Sequence, residues 1–454
     1  MKINLKTGAW YGDNNLSIKI PDNAEIKYFR PKDSKGINLK LLKDKVESFI
    51  ENIDFNKILT EKKKICLVID DITRPTPVQE TLELLIDKIL NINPLSDVYI
   101  LIANGAHKPM SDIEIEKKIG NKIANNIPII SHNFMGDDLI FYREMFHGPV
   151  ILNKYFVNAD IRITIGGILP HNETGFGGGA KLVVPGISGA DTIAFFHGAL
   201  MPRKVGIIEG NNKIDRREWA EKVASEFNII SFFILINSNR EIVDVYCGDI
   251  IKTHRIAAKK CKEIGQTIIL KKDLKNADFC VINCYPLDTD PIQMGKAIFS
   301  IKKHFSKTII VINAASDGLF YHGMGMGSGI DVLRLFKNSS KIFNIGYFKS
   351  YFKIIVGLVL KPFLLLRYSY FFFNALPFDQ LSRKNKNSTE NLHPDEKSKL
   401  IIFSKDFPKS GLIKKYPKAK LLIELVELEQ FLKKNARNKK IIVFPCAPIQ
   451  LFDI

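Results

Sequence analysis

Short apolar runs alternate with amphipathic stretches through the first two thirds of the chain. Ile65-Cys-Leu-Val-Ile-Asp70 is continuously apolar until its last residue, the signature of a strand buried on both faces of a parallel sheet. Asp71-Ile-Thr-Arg-Pro-Thr-Pro77 then reads as a turn, and Val78 to Leu90 as a helix. Asp97 to Ala103 is a second strand, ending in Asn104-Gly-Ala-His-Lys-Pro109. The capping box Ser111-Asp-Ile-Glu114 opens the next helix. Asp160 to Ile165 predicts a third strand, and it leads into a glycine-rich loop.

After a connecting helix over Asp249 to Gly265, the strand–loop–helix rhythm resumes. Phe279 to Asn283 is a strand whose following loop carries Asp288, Asp290, Gln293 and Lys296. Lys307 to Asn313 is another, followed by Asp317-Gly and Tyr321-His-Gly-Met-Gly-Met-Gly327. A polar linker spans Ser382 to Lys399, Leu421 to Lys434 reads as a helix, and Lys440 to Phe444 as a late strand. The expected fold is α/β: two α/β domains with mostly parallel sheets and a cleft between them, over residues 1–268 and 269–454. A chain of 454 residues suits that division.

Composition narrows the picture little. Hydrophobic residues at 46% and charged residues at 25% describe an ordinary globular chain. None of the six cysteines forms a CxxC pair, which argues against a zinc site or disulfide framework and for a reducing cytoplasm. The first residues lack the apolar core of a signal peptide. The formal charge of +18 admits nucleic acid or an anionic membrane as partner. Its lysines are spread along the chain without a nucleic-acid motif, so small anionic substrates are the better expectation. Tyr351 to Phe378 is aromatic and apolar, but Lys361-Pro362 and Arg367 interrupt it. A membrane span needs about 20 mostly apolar residues, so this stretch, within an atypical aromatic-basic segment at 347–380, is expected to be buried or partner-covered.

The chemistry concentrates in Pro170-His-Asn-Glu-Thr-Gly-Phe-Gly-Gly-Gly-Ala-Lys-Leu-Val-Val-Pro-Gly186. Gly177, Gly178 and Gly179 let backbone approach a ligand closely. Lys181 lies between Ala180 and Leu182-Val183-Val184, a setting that desolvates an amine and favours its use as a nucleophile. A Walker loop would need a glycine before the lysine and a hydroxyl residue after it, and both are missing. The plain alternative is a glycine turn with a solvated lysine. Position argues otherwise: Asp71 and Arg74 follow one strand, His107 a second, His171 and Lys181 a third. Ligands of parallel α/β sheets bind at the carboxyl ends of strands. Taken singly, Asp71 also reads as a helix cap and His107 as a turn residue.

Taken together, Asp71 to Pro77, Ala103 to Pro109, Pro170 to Gly186, His197 and Gln293-Met-Gly-Lys296 resemble the nickel-dependent lactate racemase family, over most of the chain to about Gly329. The resemblance implies a nickel pincer nucleotide, a pyridinium-3,5-bisthiocarboxylic acid mononucleotide, carried covalently on Lys181. It implies His197 as protein ligand to nickel, and His107 and His171 as an acid/base pair. Arg74 and Lys296 match cationic residues near substrate or cofactor, Asp71 and Gln293 match orienting residues, and Thr73 and the glycines lie against the cofactor. The implied activity is racemisation or epimerisation of a 2-hydroxycarboxylic acid, lactate or a larger relative, with cofactor-biosynthesis proteins as partners. A non-catalytic ligand-binding or regulatory member of the fold is the alternative.

The chemistry is coherent with those residues. An α-hydrogen of a 2-hydroxy acid is too weakly acidic for histidine to remove as a proton, whereas departure as hydride leaves histidine only the hydroxyl proton to take. Returning hydride to the other face inverts the centre, and two faces call for two bases. Imidazole and soft sulfur donors suit nickel. One departure concerns the substrate: Ile292 stands where an aromatic residue is expected just before the glutamine.

Overall fold

The structure is a computed structural model. It describes residues 1–53, 55–59, 61, 63–107, 109–134, 136–145, 148–171, 174–197, 215–302, 304–317, 399–406 and 419–454, without the side chains of Asn56, Ala194, His197, Asp215, Ile292 and Phe299. The 347–380 segment, the Tyr351–Phe378 stretch, the Tyr321–Gly327 run and the linker up to residue 398 lie outside those residues.

Two six-stranded sheets organise the chain. The first runs in the order Ile242–Asp249, Ile229–Ile236, Ile161–Gly167, Lys64–Asp70, Asp97–Ala103, Ile129–Ser131. Every pairing is parallel except that of the Ile242–Asp249 edge strand. The Lys64–Asp70 and Ile161–Gly167 strands are central and buried on both faces, as their unbroken apolar runs require. Separate hydrophobic clusters cover the two faces. Ile65, Leu67, Ile163 and Ile165 point one way with Leu82 and Leu85, while Cys66 and Val68 point the other with Val183 and Trp219.

The second sheet is wholly parallel, in the order Lys420–Leu422, Leu400–Phe403, Thr308–Ile312, Phe279–Asn283, Lys440–Phe444, Glu25–Tyr28. Its last strand comes from the start of the chain. The hairpin Lys2–Thr7/Asn14–Lys19 packs Ile3, Leu5 and Ile18 onto the same core as Val281 and Ile310. The expected 1–268 span is therefore crossed: the first residues sit with the second sheet, and the chain then passes to the first. Leu39–Asn52 is the first long helix, N-capped by Asn38.

Boundaries elsewhere shift by one to three residues. The helix expected from Val78 spans Gln79–Ile92, the connecting helix spans Lys252–Gly265, and Asp112–Ile119 carries the reciprocal Ser111–Glu114 capping box. Two expected helices change type at their start: Asp249 ends a strand, and the late segment opens in one. Lys420–Leu422 is a strand and the helix begins at Leu425.

Candidate active site

The strand ends assemble as their order along the sheet dictates. Asp71, directly after the Lys64–Asp70 strand, is buried. Its Oδ1 accepts from the Thr73 backbone N–H at 3.0 Å and from the Thr73 hydroxyl at 2.5 Å. Its Oδ2 lies 2.5 Å from Nδ1 of His107, which sits in the turn after the neighbouring strand. The Gln79–Ile92 helix has Val78 at its N-cap with no side-chain bond, so Asp71 is not a helix cap. Arg74 donates from Nη1 to the Thr73 hydroxyl at 3.0 Å, so Asp71, Thr73, Arg74 and His107 form one chain of contacts. Burial pushes the Asp71 carboxyl up, but the charge and hydrogen bond of His107, then Arg74 and Thr73, outweigh it and hold the group below its ordinary value. An ionised carboxylate only accepts. Neutral His107 therefore carries its hydrogen on Nδ1 and its lone pair on Nε2.

The glycine loop follows the third strand. Pro170–His171 pairs with Gly175–Phe176 as a short antiparallel ribbon, and Gly179–Leu182 is a 3-10 turn. Gly178 and Gly179 have φ of 70° and 60°, the left-handed region that favours glycine. A Cβ on Gly178 would meet the Gly167 carbonyl oxygen at 2.7 Å, whereas one on Gly177 would touch only the Leu169 carbonyl, at 3.6 Å. Gly178 is thus needed for packing, and Gly177 leaves room beside the backbone.

Lys181 is half-buried, and its Nζ lies 2.8 Å from Nε2 of His171. The His171 imidazole is held well below its ordinary pKa, first by burial and then by the charges of Lys181, Lys296, Arg74 and Arg217. Those cations come from four separate parts of the chain. Lys296 belongs to the second sheet's side, on the Met294–Lys302 helix, with buried Gln293 ending the preceding Pro291–Gln293 turn. His197 is the last residue of the Ala190–His197 helix; its side chain, like that of Ile292, lies outside the described residues. Among the described residues, no group of three or more His, Cys, Asp or Glu side chains is placed to hold a metal ion.

Four supporting groups carried no signal in the sequence. Arg217 is buried behind the glycine loop and donates to the carbonyls of Phe176, Gly177 (3.3 Å) and Gly178 (3.2 Å). His254 Nε2 lies 2.9 Å from the Gly177 carbonyl, and Arg255, gripped by both Glu221 oxygens at 2.6 and 2.7 Å, reaches its Nδ1 at 3.1 Å. Lys118, fully buried, pairs with Asp70 at 2.6 Å and donates to the Arg74 and Thr76 carbonyls. The other Asp70 oxygen accepts from the Gly167 N–H at 3.0 Å, tying two strand ends together. Trp10 donates its indole N–H to the Arg74 carbonyl at 3.1 Å. Lone Lys, Arg and Trp residues carry no local signal of such burial. Only the flanking Gly8 and Gly12 marked a special turn.

The chain is similar to known proteins in sequence and in fold. Residues 11–206 match the family described as the lactate racemase N-terminal domain. The chain is 29% identical over 301 residues to the lactate racemase of Thermoanaerobacterium thermosaccharolyticum, covering 63% of this chain and 69% of that one. It is 28% identical over 328 residues to the lactate racemase of Lactiplantibacillus plantarum, covering 70% and 75%. Its fold is similar to the lactate racemase apoprotein from T. thermosaccharolyticum, with TM-score 0.65 at 22% identity over all of both chains. It is also similar to a Thermotoga maritima protein, with TM-score 0.62 at 16% identity over 93% of this chain and 99% of that one. Residues 11–206 thus match the lactate racemase N-terminal domain, and the chain is similar to lactate racemases in sequence and in fold.

Proposed function

We propose that this chain is a racemase or epimerase of a 2-hydroxycarboxylic acid, lactate or a larger relative, working with a nickel pincer nucleotide carried on Lys181. The observation that carries the reading is the pair of imidazoles at two strand ends, one oriented by Asp71 and one beside Lys181, within reach of several cations. The residues fit an anionic cofactor joined to an amine. Lys181 presents that amine, the Gly177 backbone leaves space, and Arg74 and Lys296 supply positive charge. His197 is the residue proposed to hold the metal. When bound, the cofactor would supply an electrophilic centre that takes and returns hydride at the substrate's α-carbon.

The protein's own residues do the rest. Arg74 holds the carboxylate in a bidentate fork, the geometry a guanidinium favours, and Lys296 adds charge from the second sheet's side. His107, its tautomer fixed by Asp71, takes the hydroxyl proton at Nε2 on one face. His171 is held neutral at physiological pH and accepts the proton on the other face. Gln293 orients the acid, and Thr73 braces Asp71 and Arg74. Ile292 lacks a ring to wall off a small methyl, so larger 2-hydroxy acids are candidate substrates. The six cysteines are free thiols, as a cytoplasmic protein would keep them, and proteins that build the cofactor are the proposed partners. Among the described residues, no helix is long and apolar enough to cross a membrane.

Intact-mass spectrometry of the protein purified from cells that make the cofactor tests the assignment. A mass adduct is expected on the native chain and none on Lys181→Ala. The same adduct on the variant would refute Lys181 as the anchor.

A further inference from the structure

We propose that Trp10 is a positioning residue through which the second sheet's side sets Arg74, an inference that rests on the racemase reading for Arg74's role. The hairpin that carries Trp10 rides on the second sheet, with Ile3, Leu5 and Ile18 in its core. Its tip, Gly8 to Asp13, is fastened to the same side at several points. The N–H groups of Gly8 and Ala9 donate to the two oxygens of Asp288 at 2.7 and 3.2 Å. The Tyr11 hydroxyl donates to Asp317, and the Tyr285 hydroxyl donates to Asp13 at 2.7 Å.

From that anchorage the tip crosses to the first sheet. The Trp10 indole N–H reaches the Arg74 carbonyl, which also accepts from Lys118 at 3.1 Å. The ring is gripped by two cations, Arg240 at 4.1 Å and Lys118 at 4.9 Å from its centroid. Arg240 itself donates from Nη1 to both Asp13 oxygens at 2.8 and 2.6 Å and from Nε to the Pro75 carbonyl at 3.2 Å. The Trp10, Lys118 and Arg240 contacts on the first side therefore bear on the turn that holds Asp71, Thr73 and Arg74.

The backbone at Trp10 supports a demand of this kind. Its φ is 67°, in the left-handed region that a bulky side chain rarely enters. Such a conformation persists only where the surroundings over-determine it, and it concentrates at functional sites. Here the surroundings are the contacts just named. A displacement of the Asp288–Lys296 loop passes through Gly8 and Ala9 to Trp10, and from Trp10 to the Arg74 carbonyl. Arg74 and Lys296 are by that route kept in register on the same anion.

The test is Trp10→Phe, which keeps a ring but removes the N–H. KM for D-lactate in the cofactor-loaded enzyme is expected to rise roughly 3- to 10-fold, the range of one lost hydrogen bond, with kcat within twofold. A residue that only supports the fold would lower kcat through a smaller active fraction and leave KM unchanged. The second readout needs no turnover. Amide hydrogen exchange at Thr73 and Arg74 in the cofactor-free protein is expected to quicken about 10-fold, while the Ile229–Ile236 strand is unchanged. If the phenylalanine variant folds poorly, β-(3-benzothienyl)alanine placed at position 10 in a Trp219→Phe background removes the N–H at constant shape. Unchanged KM with unchanged exchange overturns the proposal, as does a fall in kcat alone. If the wild type racemises no 2-hydroxy acid, the functional reading fails, and the exchange measurement alone then decides the role of Trp10.

Discussion

Asp71→Asn is the substitution that bears most sharply on the imidazole chemistry. It is isosteric, so the fold should survive. The Asp71 carboxylate accepts from three donors: two from Thr73 on Oδ1 and His107 Nδ1–H on Oδ2. Asparagine has one acceptor oxygen. With that oxygen kept on the Thr73 donors, the amide NH2 faces Nδ1 of His107 and donates to it. The imidazole then carries its hydrogen on Nε2 and presents a donor where an acceptor is needed. Removing a general base costs about 100- to 10,000-fold, or about 2.7–5.5 kcal/mol in the barrier. Racemisation of D-lactate, followed by chiral chromatography, should fall by that factor in kcat/KM, with a melting temperature within a few degrees of wild type. Histidine ¹⁵N NMR should show the tautomer change at His107. A variant with activity within threefold of wild type and an unchanged tautomer would refute the base assignment.

Other outcomes follow from the same geometry. His132 is buried, with Nε2 3.0 Å from the Ser188 carbonyl, and burial lowers its pKa from 6.5 to about 4. Its folded-state pKa lies below the unfolded one, so its contribution is complete above pH 6.5 and lost as pH falls towards 4. Urea unfolding should find about 2–3 kcal/mol less stability at pH 4.5 than at pH 7 from this group, a difference absent in His132→Asn. Ile163→Ala, in the central strand at 0% exposure, should cost about 2–5 kcal/mol in the same assay. Lys296→Met removes one of the charges that depress His171. The His171 titration followed by NMR should move to higher pH, and KM for D-lactate should rise at least about tenfold.

The parts of the fold that were legible were those whose signal is local. Ile65 to Asp70 and Phe279 to Asn283 are apolar runs too short for helices and flanked by turn residues, and both are strands. The strand-end rule placed Asp71 and His107 at neighbouring strand ends, where they touch, and His171 beside Lys181 after a third strand, because neighbouring parallel strands deliver their following turns to one sheet edge. Long-range pairing was not legible. Glu25–Tyr28 is four residues with a mixed pattern, and only its partner Lys440–Phe444 makes it a strand of the second sheet. Leu421 and Leu422 suit strand and helix alike, and pairing with Leu400–Phe403 decided for a strand. Lys118 and Arg217, buried, and Trp10, half-buried, act by reaching carbonyls of distant turns. No local pattern of neighbours distinguishes such a lysine or arginine from a solvated one.

The central claim is hydride transfer between two faces, with His107 and His171 handling only the hydroxyl proton. D-lactate carrying deuterium at the α-carbon, incubated in ordinary water with the cofactor-loaded enzyme, tests it directly. L-lactate that keeps most of its deuterium is expected, with racemisation that disappears in Lys181→Ala. Racemised product with its label exchanged for solvent hydrogen would contradict it.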